Sequence, residues 1–202
     1  LPYVKLDTIE NVSLEILLQQ ANAISIHVPL TKNGEHPTYH LFDEKAFAAL
    51  QPDTILINSA RGPVVKETAL MEDIQRTQRK VVLDVFEHEP QISAELLNAL
   101  ALATPHIAGY SLEGKVRGTQ MIYQSFCESF DKTADKDFVP LLEHCEPLLA
   151  LNEDAKNAKA ELTKSEFKTQ LMQNLSTIYD IRRDDQVLRA CLNDGEIQQK
   201  AF

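Results

Sequence analysis

Between residue 13 and about residue 107, short apolar, β-branched runs alternate with stretches whose apolar residues recur every three or four positions. Compact apolar runs suit strands and the 3–4 spacing suits helices, so the alternation specifies βαβ units and a parallel sheet. Residues 13–21 carry Leu14, Leu17, Leu18 and Ala21 on one helical face, with Asn11 or Ser13 available as a cap. A strand at 24–28 follows, ended by Pro29. After Gly34 and Pro37, Asp43 caps a helix at 44–50, and Pro52 precedes a strand at 54–58. Arg61-Gly62-Pro63 breaks the chain before a helix from 66 to about 77 and a third strand at 81–86. A short helix at 93–100 leads to a fourth strand at 102–104. Such near-continuous apolar strands predict a sheet covered on both faces.

Beyond residue 110 the pattern changes. Residues 111–130 predict one long helix, 131–150 are mixed, 152–160 read as a solvated linker, and 166–181 predict an amphipathic helix through Leu171, Leu175 and Ile178. The tail thus reads as a separate, mostly helical unit. A formal net charge of −10 argues against a nucleic-acid partner, whose phosphates need clustered Lys and Arg. Cys127, Cys145 and Cys191 are odd in number and form no C-x-x-C pair, so neither a disulfide framework nor a metal site is expected, and reduced thiols in a cytoplasm fit best. No apolar run approaches the roughly 20 residues of a membrane helix. No membrane partner is expected, and Leu1 reads as a position inside a domain.

Right-handed crossovers bring the carboxyl ends of parallel strands to one edge, where such sheets keep their ligands. Arg61, Asp84, Glu89 and His106 all fall there. Taken singly, each has an ordinary structural reading: a turn arginine, a strand aspartate bonding a loop, an exposed turn, a satisfied histidine. Together they are a cation, two acids and a histidine on one edge. Oxidising a 2-hydroxy acid needs a cation for the carboxylate, a base for the hydroxyl proton and an acid to orient that base. Arginine's planar fork suits the first role, and histidine, titrating near neutrality, suits the second.

Residues 57–65 (INSARGPVV), 83–90 (LDVFEHEP) and 104–109 (TPHIAG) resemble, in order, three C-terminal signatures of the D-2-hydroxyacid dehydrogenase family. The resemblance implies an α/β fold, here part of a Rossmann-like, doubly wound parallel sheet over residues 1–110, followed by a connecting helix at 111–131. It implies NAD as cofactor, with Val28, Ser59, Ala60, Arg61, Asp84 and Gly109 around it and Asp84 on the nicotinamide carboxamide. It also implies that Arg61 binds the substrate carboxylate, that His106 exchanges the hydroxyl proton, and that Glu89 orients His106. Residues 109–115 (GYSLEGK) and 179–185 (YDIRRDD) are similar to runs in a branch of the family that acts on a phosphorylated 2-hydroxy acid and carries an extra C-terminal dimerisation domain. That similarity implies Tyr110 on the substrate and a smaller α+β dimerisation domain, incomplete, at 132–202 of a homodimer.

The departures from the family pattern are specific. Lys66 stands where the family usually has an acid, and Val28 where it can present a Thr toward NAD, so a contact there would be apolar or through the backbone. None of the six glycines forms the G-x-G-x-x-G turn that brings a helix N-terminus to a pyrophosphate. The 202 residues alone are therefore expected neither to hold NAD with micromolar affinity nor to turn over. Other 2-hydroxy acids, and a non-catalytic NAD-sensing protein on the same fold, stay open as alternatives.

Overall fold

The computed structural model describes residues 10–138, 140, 169, 171–172, 175–176, 179–193 and 196–197. The expected linker at 152–160 and most of the expected helix at 166–181 lie outside them. The chain divides into two compact units, one running to His106 and taking in the chain from Asp184 onward, the other Ile107–Arg183.

The first unit is built on a four-stranded parallel sheet, β1 (Ala23–Ile26), β2 (Ile55–Asn58), β3 (Val81–Leu83) and β4 (Leu102–Ala103), ordered β1-β2-β3-β4. Between them lie α2 (Glu44–Ala49), α3 (Glu67–Thr77) and α4 (Ala94–Ala99), with α1 (Leu14–Gln20) before β1. Short polar residues start these helices. Ser13 Oγ accepts the Ile16 N–H, the Asp43 carboxylate accepts those of Lys45 and Ala46, and Ser93 Oγ accepts that of Leu96. Because a cap has extended backbone, the helices expected at 13 and 93 begin one residue later, at Leu14 and Ala94. The strands end earlier than expected. β1 stops at Ile26, which pairs with the last residue of β2, Asn58, and β3 stops at Leu83, opposite Ala103.

The register aligns Ile24 with Leu56, Leu56 with Val81, Asn58 with Leu83, and Leu83 with Ala103. All of these are buried, in one core with Leu18, Phe47, Leu70, Ile74, Leu96 and Leu97 from the helices. On the opposite face Ala23, Ser25 and Ile55 are exposed, Ile55 at 38%, while Ile57, Val82 and Leu102 are half-buried. Strand order supplies the reason. Successive right-handed crossovers that always step the same way lay their helices on one face, so α1–α4 form a single layer.

The second unit contains α5 (Leu112–Ser129), capped by Ser111, whose Oγ accepts the Gly114 N–H at 3.0 Å. Around it, Tyr123 Oη donates to Asp135 at 2.8 Å and Gln120 accepts the Phe138 N–H at 2.9 Å. After Arg183 the chain returns to the first unit in α6 (Arg182–Ala190), whose Leu188 is 1% exposed within the main core. A short antiparallel pair, β5 (Leu192–Asn193) and β6 (Glu196–Ile197), follows. Among the described residues no helix is long and apolar enough to cross a membrane.

Candidate active site

The four strands β1–β4 are parallel, so their carboxyl ends share one edge, and Val28, Ser59–Arg61, Asp84–Glu89 and His106 follow those ends. The ladder continues through backbone bonds past the last strand residues. Asp84 N–H donates to Asn58 O at 2.9 Å, Thr104 N–H to Leu83 O at 2.9 Å, and His106 N–H to Asp84 O at 2.8 Å. His106 is thereby held with φ of 54°, a left-handed conformation that costs a non-glycine residue energy and recurs where a side chain must be aimed.

Its imidazole Nδ1 lies 2.9 Å from Glu89 Oε2. The other oxygen, Oε1, accepts the Phe86 backbone N–H at 2.7 Å. Both carboxylate oxygens are thus engaged, and the acid is fixed relative to the strand end that precedes it. A carboxylate only accepts, so the hydrogen of the His106 contact sits on Nδ1, which in the neutral ring leaves the lone pair on Nε2. Asp84 is 5% exposed and accepts the Thr104 hydroxyl at 2.6 Å, which ties the ends of β3 and β4 together.

The turn after β2 is braced from within. Asn58, 1% exposed, donates through Nδ2 to the Arg61 carbonyl at 3.0 Å and accepts the Ala60 N–H at 3.1 Å. Arg61 is exposed, with Nη1 on the Ala60 carbonyl at 2.6 Å, and among the described residues no carboxylate forms an ion pair with it. Gly62 next to it permits a close approach. A Cβ there would stand 1.8 Å from the Phe86 carbonyl oxygen, so only glycine lets the Arg61 turn press on the segment that carries Glu89. Val28 is half-buried against the core, Ser59 is half-buried and Ala60 is buried. Gly109 (φ 83°) and Tyr110 belong to the second unit, where Tyr110 is 73% exposed with Lys115 Nζ over its ring at 3.6 Å.

Two polar residues of this edge escaped the sequence reading. Glu87 Oε1 lies 2.6 Å from His40 Nε2, and Oε2 accepts the Glu67 N–H at 2.7 Å. Burial works against the Glu87 charge, but the Glu67 N–H and His40, with His88 nearby, hold its carboxyl below the ordinary value near 4.5. Glu67 shifts the other way: burial pushes it up, His88 opposes, and the Glu87 charge adds to the rise. Glu87 lay inside the LDVFEHEP run and could have been singled out from it; His40, in an irregular loop, carried no signal.

Residues 3–108 match the family described as D-isomer specific 2-hydroxyacid dehydrogenase, NAD binding domain. The chain belongs to this family. Over 201 residues it is 67% identical to the erythronate-4-phosphate dehydrogenase of Acinetobacter baumannii (strain AYE), covering 100% of this chain and 53% of that protein. The enzyme of the same name from Acinetobacter baylyi is 54% identical over the same span and share. The chain therefore spans about half the length of the curated relatives it matches. Among solved structures it is similar to a glyoxylate reductase from Paecilomyes thermophila, with 30% identity, a TM-score of 0.51, and coverage of 57% of this chain and 35% of that one. A D-lactate dehydrogenase with NAD+ from Lactobacillus jensenii gives 27% identity, a TM-score of 0.50, and coverage of 64% and 46%.

Proposed function

We propose that the intact protein bearing this chain oxidises 4-phospho-D-erythronate to 2-oxo-3-hydroxy-4-phosphobutanoate with NAD, a step in the synthesis of pyridoxal 5'-phosphate. The observation that carries the reading is the His106 Nδ1 to Glu89 contact of 2.9 Å, with Glu89 locked by the Phe86 N–H. The 67% identity to an erythronate-4-phosphate dehydrogenase supports the choice of substrate. The edge suits the nicotinamide end of NAD, because Ser59 and Arg61 remain accessible on a braced turn beside a buried carboxylate, Asp84. Val28, Ser59, Ala60 and Asp84 would hold it.

Arg61 binds the substrate carboxylate bidentately and draws electron density from the C2 oxygen. His106 Nε2 takes the C2 hydroxyl proton, and the imidazolium so formed faces the Glu89 carboxylate. The C2 hydrogen then leaves with its electron pair as the C2–O bond becomes a carbonyl. NAD, when bound, supplies the acceptor for that hydride. Tyr110 contacts the substrate. The protein works as a homodimer through its C-terminal region, in a cytoplasm, where Cys127 and Cys191 stay free thiols.

Initial rates of NADH formation by the intact protein test the reading. 4-phosphoerythronate should be turned over with a kcat/KM far above that for 3-phosphoglycerate. A preference for 3-phosphoglycerate, or no NADH with either, overturns the substrate assignment.

A further inference from the structure

Three separate connections of the first unit meet at the Glu87 side chain. His40 comes from the segment between β1 and α2, Glu67 opens α3 after β2, and Glu87 itself follows β3. The link is sheltered, with side-chain exposures of 25% for His40 and 12% for Glu87. His40 is anchored in turn. Its N–H donates to the Pro63 carbonyl at 2.8 Å, its φ is 54°, and the Tyr39 ring stacks on it at 3.9 Å.

What this clamp holds is the segment that aims the proposed acid–base pair. Glu87 directly follows Phe86, whose N–H fixes Glu89 Oε1, and precedes Glu89 by two residues. Gly62 presses on the same segment at the Phe86 carbonyl. The segment is thus gripped at its backbone by the Arg61 turn and, through the Glu87 carboxylate, by the first and second connections. The Phe86 N–H can hold Glu89 against His106 only while it stays in place.

We propose that Glu87, held by His40 and the Glu67 amide, is a positioning residue: it fixes the Phe86 N–H and so keeps Glu89 on His106. The inference rests on the dehydrogenase reading above for its kinetic consequence, but not for its geometric one. A link serving stability alone would lower the melting temperature and leave both the Phe86 amide and kcat where they were. Misplacing a catalytic group by a fraction of an ångström lowers the rate of the chemical step without weakening ground-state binding.

The test compares the intact protein with its Glu87→Ala, Glu87→Gln and His40→Ala variants, reading kcat, KM, melting temperature and the NMR resonance of the ¹⁵N-labelled Phe86 amide. Glu87→Ala should lower kcat about tenfold or more with KM unchanged within about twofold, and should move the Phe86 amide upfield as its bond to Glu89 weakens. Glu87→Gln, which still accepts the Glu67 N–H, should recover most of the loss. His40→Ala should fall in the same direction by less, and if Glu87→Ala does not fold, His40→Ala decides by the same readouts. A lower melting temperature with kcat and the Phe86 amide unmoved overturns the proposal. Absence of dehydrogenase activity in the unmodified protein would instead sink the functional reading, and the Phe86 resonance would still report whether Glu87 sets Glu89.

Discussion

Asp185 Oδ1 accepts the Ala103 N–H at 2.8 Å, across 82 positions of sequence. β4 is an edge strand, and a backbone donor on an open edge is normally left to water or to a stray strand. Here a helix covers it. Arg189 Nε binds both oxygens of Asp185, at 3.0 and 2.9 Å, and its guanidinium reaches the carbonyls of Leu97 and Leu100. Those carbonyls lie at the C-terminal end of α4, where carbonyls run short of helical donors, although Leu97 O also takes the Leu100 N–H at 3.3 Å. One Asp–Arg pair thus closes a strand edge and a helix end together, while Leu188 between them enters the core.

Leu188→Ala should therefore destabilise the first unit by about 2–5 kcal/mol, as for a fully buried leucine. Val187→Ala, one residue away and 62% exposed, should change stability by no more than about 0.5 kcal/mol. Urea unfolding of the two variants measures the contrast. Equal midpoints would mean that α6 does not dock as described.

The contrast also marks what the sequence could convey. The sheet and its helices were legible because periodicity and caps are local: Leu14 and Leu18 pack on the core while Leu17 of the same expected face stays exposed, and Ser13, Asp43 and Ser93 stand at their helix starts. The acid–base pair was legible because Glu89 and His106 each lie in a run tied to a strand end. The Asp185–Ala103 and His40–Glu87 links join residues 82 and 47 positions apart and leave no local trace. Arg79 likewise gave no sign of burial, yet it is 3% exposed and bound to Asp73 at 2.6 Å and to the carbonyls of Gln51 and Thr54.

In the intact protein, His106→Ala should lower kcat by about 10²–10⁴-fold, the range for a positioned acid–base group. Glu89→Gln should lower it by less, since Nε2 keeps its place while the new imidazolium loses its counter-charge. The two should not add: with His106 already removed, Glu89→Gln should cost little more, because the glutamate acts through the ring. A double-mutant cycle on kcat reads this. Full additivity would separate Glu89 from His106 in function.

Gly62→Ala tests the close approach of the two catalytic connections. A methyl 1.8 Å from the Phe86 carbonyl oxygen cannot be accommodated by a rotamer change, because the atom it meets is backbone. The segment must shift, at about 1–3 kcal/mol for overpacking, and Glu89 shifts with it. Both melting temperature and kcat should fall. Gly118→Ala, with open space around the added carbon, should leave both nearly unchanged.

Glu67 and Glu87 should give opposite pH dependences of stability. The Glu87 carboxyl is held below its ordinary value near 4.5, so its contribution is present above that pH and disappears as pH falls through the folded value. Glu67 is pushed above 4.5 by burial, so the folded state favours its protonated form, and stability is lost as pH rises through the folded value. Glu87→Gln should then lower the melting temperature at about pH 7 and have a shrinking effect as the pH drops below about 4. Glu67→Gln should raise the melting temperature at about pH 7 and do little near pH 4. Because the Glu87 charge is part of what raises Glu67, the gain from Glu67→Gln should be smaller in the Glu87→Gln background. Melting temperatures of the four proteins across this pH range decide it; a Glu67→Gln variant that is less stable at neutral pH than its parent would mean the carboxylate is paired there, not merely buried.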